Sequence, residues 1–379
     1  MLNEELMISH NNGMQKKLYV FKKGYLYGSN NNVTVTEISR ICNFINQIIN
    51  RHNLAALPID INLAGPFQDK LSYVLLECII YYMIVNNSCK LTLQCNGKFN
   101  IFTEGLHHSC LGYYNNKEEF ENHFENDISV NHYRKVVKKD SKETEISTRV
   151  QDIESFLKNL GINSEYVAKV SNVIGELIDN AIEHGDSDCI VDIDVTNDYM
   201  KNTPEGQGKS YYGLNIVVVN FSNNKFGESL GKKLKCKDLL PQYNKVLAAK
   251  IIHQQSFDAR YTESDFNAVA SFQHRISGRE NTATGGTGLT QLIKVLEEQS
   301  DYADCYVLYC DKVLVFKKDC MERDKDEWVG FNRVNSFMTA VPDIDCVGRS
   351  GFYMPGMAYN LNFVIEKEIK DEKSGAEIS

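Results

Sequence analysis

Three polar residues, Glu176, Asn180 and His184, recur at every fourth position of the stretch Gly175-Glu-Leu-Ile-Asp-Asn-Ala-Ile-Glu-His-Gly185. On a helix that spacing is nearly a full turn, so all three project from one face. Val170, Ile174, Leu177, Ile178 and Ala181 form an apolar opposite side suited to a buried sheet. The helix thus offers a carboxylate, an amide and an imidazole above a core. A carboxylate can activate water, and an amide oxygen is a hard ligand of the kind Mg²⁺ prefers.

A second chemical feature lies about a hundred residues on. Gly285-Gly-Thr-Gly288-Leu289 precedes a run of helical pattern, Thr290 to Glu298. Glycines let main-chain N–H groups approach an anion closely, and the N-terminus of the next helix adds free donors and a positive dipole end. This is a phosphate cradle in sequence form. Upstream, Phe272–Thr284 is rich in Gly, Ser, Thr and Asn and is expected to form a lid that orders over a nucleotide. Arg275 and Arg279 on it are either phosphate contacts or solvated lid residues.

In this order and separation, Glu176-x-x-x-Asn180-Ala181-x-x-His184 and Gly286-x-Gly288-Leu289 resemble the N box and the glycine box of the GHKL ATPase superfamily. That group includes gyrase B, heat-shock chaperones, histidine kinases and the mismatch-repair protein MutL. The resemblance covers about Ser147 to Asp319, with a further strand near Tyr359–Glu366. It implies an α/β (α+β) fold: a two-layer GHKL (Bergerat) sandwich of helices on a mixed sheet, preceded here by a smaller α/β domain. It further implies ATP and Mg²⁺ as ligands, with Asn180 bridging the metal to the triphosphate and Glu176 polarising the attacking water. Gly285, Gly286, Thr287, Gly288 and Leu289 would line the phosphates. His184 would either contact phosphate or close the helix at Gly185.

One position departs from the pattern. The family's middle box, Asp-x-Gly-x-Gly after a buried strand, reads Asn220-Phe221-Ser222-Asn223-Asn224 here. Asn220 can accept from an adenine amine through its oxygen, but its NH₂ can equally donate to a guanine carbonyl. Ser222 and Asn224 in place of glycines imply a differently shaped base pocket, and Gly227 is placed to supply backbone freedom.

The elements that must carry these groups follow from periodicity. Ser147–Leu160 reads as a helix ending at Gly161, and Asn163 or Ser164 caps the next. Ile190–Val195 and Leu214–Asn220 read as strands, and Cys305–Cys310 with Lys312–Phe316 as a hairpin turning at Asp311-Lys312. Earlier, a helix from Thr36 to Arg51, strands at Ile59–Leu63 and Lys90–Cys95, and a helix over Lys70–Met83 suggest a small α/β unit loosely similar to STAS-like domains. The acidic segment Tyr114–Asp127 and the charge run Lys138–Glu145 read as surface loop or linker. The division is therefore 1–145, the N-terminal domain ending in a charged linker, and 146–379, the nucleotide-binding domain with a frayed tail.

The chain of 379 residues carries a net charge of −9, which disfavours broad nucleic-acid binding. The basic cluster Arg134–Lys139 reads as solvated. The apolar run Leu75–Val85 is short and interrupted by Glu77, so no membrane span is expected. Met1-Leu-Asn-Glu-Glu lacks the basic and apolar regions of a signal peptide, and eleven scattered cysteines read as reduced thiols, so a cytoplasmic location is expected. Zinc ligation by Cys305, Cys310 and Cys320 lacks a supporting Cys-x-x-Cys.

The leading functional expectation is Mg²⁺-dependent ATP hydrolysis driving lid closure. The alternatives are a serine kinase of the anti-sigma type, with Ser72 as a speculative acceptor, and a non-hydrolysing nucleotide sensor. A homodimer or a protein partner acting through the N-terminal domain is compatible with each.

Overall fold

Alternation and helical spacing organise the chain around two sheets. The computed structural model describes residues 20–21, 24–50, 58–95, 109–141, 143–199, 209–237, 239–278, 288–300 and 305–367. The N-terminal unit comprises β1 (Val20–Phe21), β2 (Gly24–Ser29), α1 (Val35–Ile49), β3 (Ile59–Leu63), α2 (Lys70–Tyr81) and β4 (Leu91–Cys95). Its sheet runs in the order β1-β2-β3-β4, with β2, β3 and β4 parallel. The two helices and the strand–helix–strand run appear where the apolar spacing put them.

The second sheet has six strands: β5 (Asn126–Ile128), β6 (His132–Val137), β7 (Cys189–Tyr199), β8 (Tyr211–Asn220), β9 (Tyr306–Val315) and β10 (Val347–Glu366), in the order β5-β6-β7-β8-β10-β9. Every pairing in it is antiparallel, which corrects the expected mixed sheet. The cause is the connection: two helices, α4 (Glu143–Asn159) and α5 (Ser164–Glu183), lie between β6 and β7 and return the chain to the end it left. Asn163 caps α5 through its side chain, which accepts from the Glu165 N–H at 2.7 Å, and Gly161, at φ +83°, makes the turn between the helices.

Both faces of this sheet are covered. On β8, Leu214, Ile216 and Val218 join one core with α5 residues such as Ile174 and Ile178. The alternate residues Val217 and Val219 join a second core with α1, α2 and β3 of the N-terminal unit. This explains the unbroken apolar run of β8: the N-terminal unit packs as a further layer on the face away from α5.

Two further expectations change. The segment read as a linker holds an amphipathic helix, α3 (Lys117–Glu125), followed directly by β5 and β6. Phe120 and Phe124 of α3 are buried, and Phe124 lies 4.4 Å from the Tyr81 ring between centroids. Nor is there a turn at Asp311-Lys312. β9 runs through it, bent at Cys310 (φ +49°), and shifts register against the long β10. Lys312 is pulled inward instead, to the Asp265 carboxylate at 3.0 Å and the Arg260 carbonyl at 2.5 Å.

The remaining helices, α6 (Glu228–Lys233), α7 (Pro241–His253), α8 (Glu263–Ala270) and α9 (Gly288–Gln299), lie between β8 and β9. α9 packs against α5. No helix among the described residues is long and apolar enough to cross a membrane.

Candidate functional site

The α5 helix buries Val170, Val173, Ile174, Leu177, Ile178 and Ala181 against the sheet. Glu176 and Asn180 sit half-buried on its other side. Both line a cavity of about 340 Å³, together with His184, Asn220 and Leu289. That volume lies within the range of small-molecule sites. Five of the residues picked from sequence therefore meet, although they come from α5, the end of β8 and the first turn of α9.

The side chains of Glu176 and Asn180 make no hydrogen bond or ion pair to another described residue. An unused carboxylate and an unused amide oxygen on one helix face are a suitable donor set for a magnesium–phosphate group. Asp179 and Glu183 of α5 and Glu228 of α6 also reach the cavity. Two lysines, Lys225 and Lys232, line it too; Lys232 is engaged with Glu228 at 2.8 Å and holds that carboxyl below its usual range. The carboxylates outnumber the lysines, so a divalent cation would favour a polyphosphate there.

One end of the cavity is built from the β8–β10 pairing. Asn220 pairs with Met357, and Gly356, Met357 and Tyr359 line the wall beside it. Gly356 has φ +90°, and a Cβ there would lie 2.4 Å from the Asn220 carbonyl oxygen. The backbone approach therefore requires glycine. Sequence reasoning missed this wall, although Pro355-Gly356 inside a strand is a signal for a bulge.

Ser222 does not line the cavity. Its hydroxyl donates to the Gly185 carbonyl at 2.5 Å and accepts from the Asn224 N–H at 3.0 Å, while the Asn224 amide donates to the His184 carbonyl. The residues that replace the expected glycines thus tie the end of α5 to the loop after β8. Gly227, at φ +79°, supplies the left-handed turn that opens α6. His184 is the C-cap residue of α5, its N–H bonded to the Asn180 carbonyl at 3.1 Å, and it also faces the cavity.

The described part of the expected lid, Phe272–Gly278, is anchored more firmly than its composition implied, and residues 279–284 lie outside the described residues. Phe272, Gln273 and Ile276 are buried, and the Gln273 amide bonds Val269 and Val329 main-chain groups. Arg275 is exposed, has φ +60° and is not among the lining residues, whereas its neighbours Ile276, Ser277 and Gly278 are. Gly288 begins α9. Arg279, Gly285, Gly286 and Thr287 lie outside the described residues.

A second polar cluster sits behind the sheet. The Lys70 ammonium of α2 contacts Asp192 at 2.5 Å and also Asp194, both on β7. Arg134 of β6 binds Asp192 at 2.5 Å and Glu77 of α2. His132 reaches Asp192 at 3.1 Å and Asp127 at 3.3 Å. Burial alone would lower the His132 pKa, but the surrounding carboxylates raise it to about 9. Asp192 is held well below the carboxylate range: burial opposes this, and Arg134, Lys70 and His132 outweigh burial. Asp194 is raised, by burial and by its neighbour Asp192. The basic cluster expected to be solvated is therefore partly internal: Arg134 is buried because two carboxylates neutralise it.

His132, Asp192 and Asp194 bring ligand atoms within 4.8 Å of one another. Lys70 contacts both carboxylates, and Arg134 and His132 also pair with Asp192, so the cluster reads as an interface ion network. Among the described residues, Cys305, Cys310 and Cys320 form no such group. Ser72, the speculative phosphoacceptor, is buried in the first turn of α2, where its N–H is capped by Asp69 at 2.7 Å.

No protein-family model matches the chain, and comparison with curated proteins and with solved structures returns no match.

Proposed function

We propose that the cavity between α5, the end of β8 and the start of α9 binds a purine nucleoside triphosphate with Mg²⁺ and hydrolyses it, in the manner of the GHKL ATPases that the sequence resembles. The observation that carries this reading is the convergence of Glu176, Asn180, Asn220 and Leu289 on one cavity.

In this reading the Asn180 amide oxygen would hold the metal, which would supply charge neutralisation of the phosphate oxygens. Glu176, one turn earlier, accepts a hydrogen bond from the attacking water and takes its proton. The N-terminus of α9 would offer main-chain N–H donors to the phosphates. The cluster of carboxylates at the mouth makes nucleotide binding depend on the cation. A kinase reading that uses Ser72 is disfavoured by the burial of that residue. Retention of Glu176 favours turnover over passive sensing.

The test is calorimetric titration of the full chain with ATP, with and without Mg²⁺, beside a phosphate-release assay. Binding that requires Mg²⁺ and is followed by release of free phosphate is expected. Absence of binding at millimolar ATP and Mg²⁺ would remove the proposal.

A further inference from the structure

We infer that a second groove, on the far side of Glu176, is the solvent side of the reaction. Through it Glu176 returns the proton it takes from the attacking water, and Asn172 and Gln291 hold the water that carries that proton away. The inference rests on the nucleotide reading above and adds to it the route of the proton.

The polar stripe of α5 begins one turn before Glu176, at Asn172, with the same four-residue spacing that leads on to Asn180. Along its length the stripe passes from one cavity to another. Asn180 lines the first, of about 340 Å³. Asn172 lines a second, of about 540 Å³, bounded by α4, α5 and α9, with Gln291 of α9 among its walls. Glu176 and Asp179 line both, so they form the wall that the two share. The lysines of the second groove are already engaged, Lys169 with Glu298 at 3.0 Å and Lys294 with Glu327 at 3.0 Å. Asn172 and Gln291 are exposed, and like Glu176 they make no hydrogen bond or ion pair to another described residue. One carboxylate and two amides are thus left to meet water there.

A nucleoside triphosphate would fill the first cavity and exclude bulk water from that side of Glu176. When water attacks the terminal phosphorus, a new P–O bond forms and the bond to the bridging oxygen breaks. The electron pair of the broken bond stays on the nucleoside diphosphate, and the proton of the water passes to the Glu176 carboxylate. That base must lose its proton before the next turnover. A carboxylate on the shared wall can take a proton from one cavity and release it to water in the other. An amide both donates to water and accepts from it, so Asn172 and Gln291 can hold a water in reach of Glu176. They are positioning residues, since they line the second groove alone and do not reach the nucleotide cavity.

The test removes the two amides while nearly keeping their size. In the double variant Asn172→Leu/Gln291→Leu, phosphate release should fall about tenfold. Its solvent deuterium isotope effect should rise, because proton return becomes the slow step. ATP affinity with Mg²⁺, measured by calorimetry, should stay at the wild-type value. Asn172→Ser/Gln291→Ser, which keeps a polar group for water at each position, should retain most of the wild-type rate. Both positions are exposed, so neither exchange disturbs the core. Wild-type turnover and isotope effect in the leucine variant, an equal loss in the serine variant, or a weaker hold on ATP in the leucine variant would overturn the role of the groove while leaving the nucleotide site standing. A wild type that binds no ATP would overturn the site itself.

Discussion

Lys70 of α2 and Asp192 of β7 meet at 2.5 Å between Nζ and Oδ1, with both side chains almost wholly buried, across the seam between the N-terminal unit and the six-stranded sheet. The seam also shares an apolar core, in which Val217, Val219 and Leu308 of the sheet pack with Leu71, Leu75 and Ile79 of α2. The α5 face of the same sheet carries the candidate cavity. The N-terminal unit is thus seated on the back of the sheet by both apolar packing and paired charges, which differs from a partner held by a loose linker.

Removing one charge from that network should be costly, because it leaves an opposite charge buried without its partner. Lys70→Met is expected to lower unfolding free energy by about 3–5 kcal/mol. Adding Asp194→Asn to it should recover part of the loss, since that carboxyl is already the one burial pushes toward its neutral form. Urea unfolding of the two single variants and the double variant measures the coupling. Strictly additive losses would show that the pair contributes nothing as a pair.

The network also sets a pH dependence. The imidazole of His132 has an ordinary pKa of 6.5 and about 9 in the fold, so the folded chain holds its proton more tightly than the unfolded chain. The resulting stabilisation is complete below pH 6.5 and disappears as pH rises through 9. Its upper size is about 3 kcal/mol. Wild type should therefore lose more stability between about pH 6 and 9.5 than His132→Gln does. Parallel pH profiles for the two proteins would show that His132 titrates without consequence.

The parts of this architecture that were legible in the sequence are those whose signal is local. The α5 face, with Glu176 and Asn180 one turn apart above buried Ile174 and Ile178, is written in its spacing, as are the β3–α2–β4 run and the Gly161 helix stop. What was not legible depends on partners far away. α3 has only Phe120 and Phe124 as apolar anchors in an acidic stretch, so it reads as linker until Tyr81 is beside it. Arg134 reads as a solvated cation until Asp192 and Glu77 enclose it. The Asp311-Lys312 pair reads as a turn, but Asp265 draws Lys312 into the interior and β9 continues past it. The cavity wall at Gly356–Tyr359 follows from the register of β10 on β8, which no local pattern encodes.

Gly356 offers a test of that wall. Its φ is +90°, and a Cβ added there would approach the Asn220 carbonyl oxygen to 2.4 Å, so Gly356→Ala must shift β10, β8 or both. A loss of about 1–3 kcal/mol in stability is expected, with a drop in nucleotide affinity as Asn220 is displaced. Gly28→Ala in β2 is the matched control, because a Cβ there meets nothing within 4 Å. Thermal denaturation and nucleotide titration of both variants would decide the matter. Equal behaviour of the two would mean that the wall tolerates movement at Gly356.

Glu176 and Asn180 should separate catalysis from binding. The two side chains share a helix face one turn apart, yet the chemistry assigned to them differs: the carboxylate acts on water, and the amide oxygen acts on the metal. Glu176→Gln keeps the shape and removes the base, so phosphate release should fall by about 10²–10⁴-fold while ATP affinity stays close to wild type. Asn180→Ala removes a metal ligand, so the gain in ATP affinity on adding Mg²⁺ should shrink, and turnover should fall with it. Phosphate-release kinetics and calorimetry with and without Mg²⁺, on both variants, read these effects apart. If Glu176→Gln turned over at the wild-type rate, the proton would have to go elsewhere; Asp179, on the same helix and facing the same cavity, would be the next carboxylate to replace.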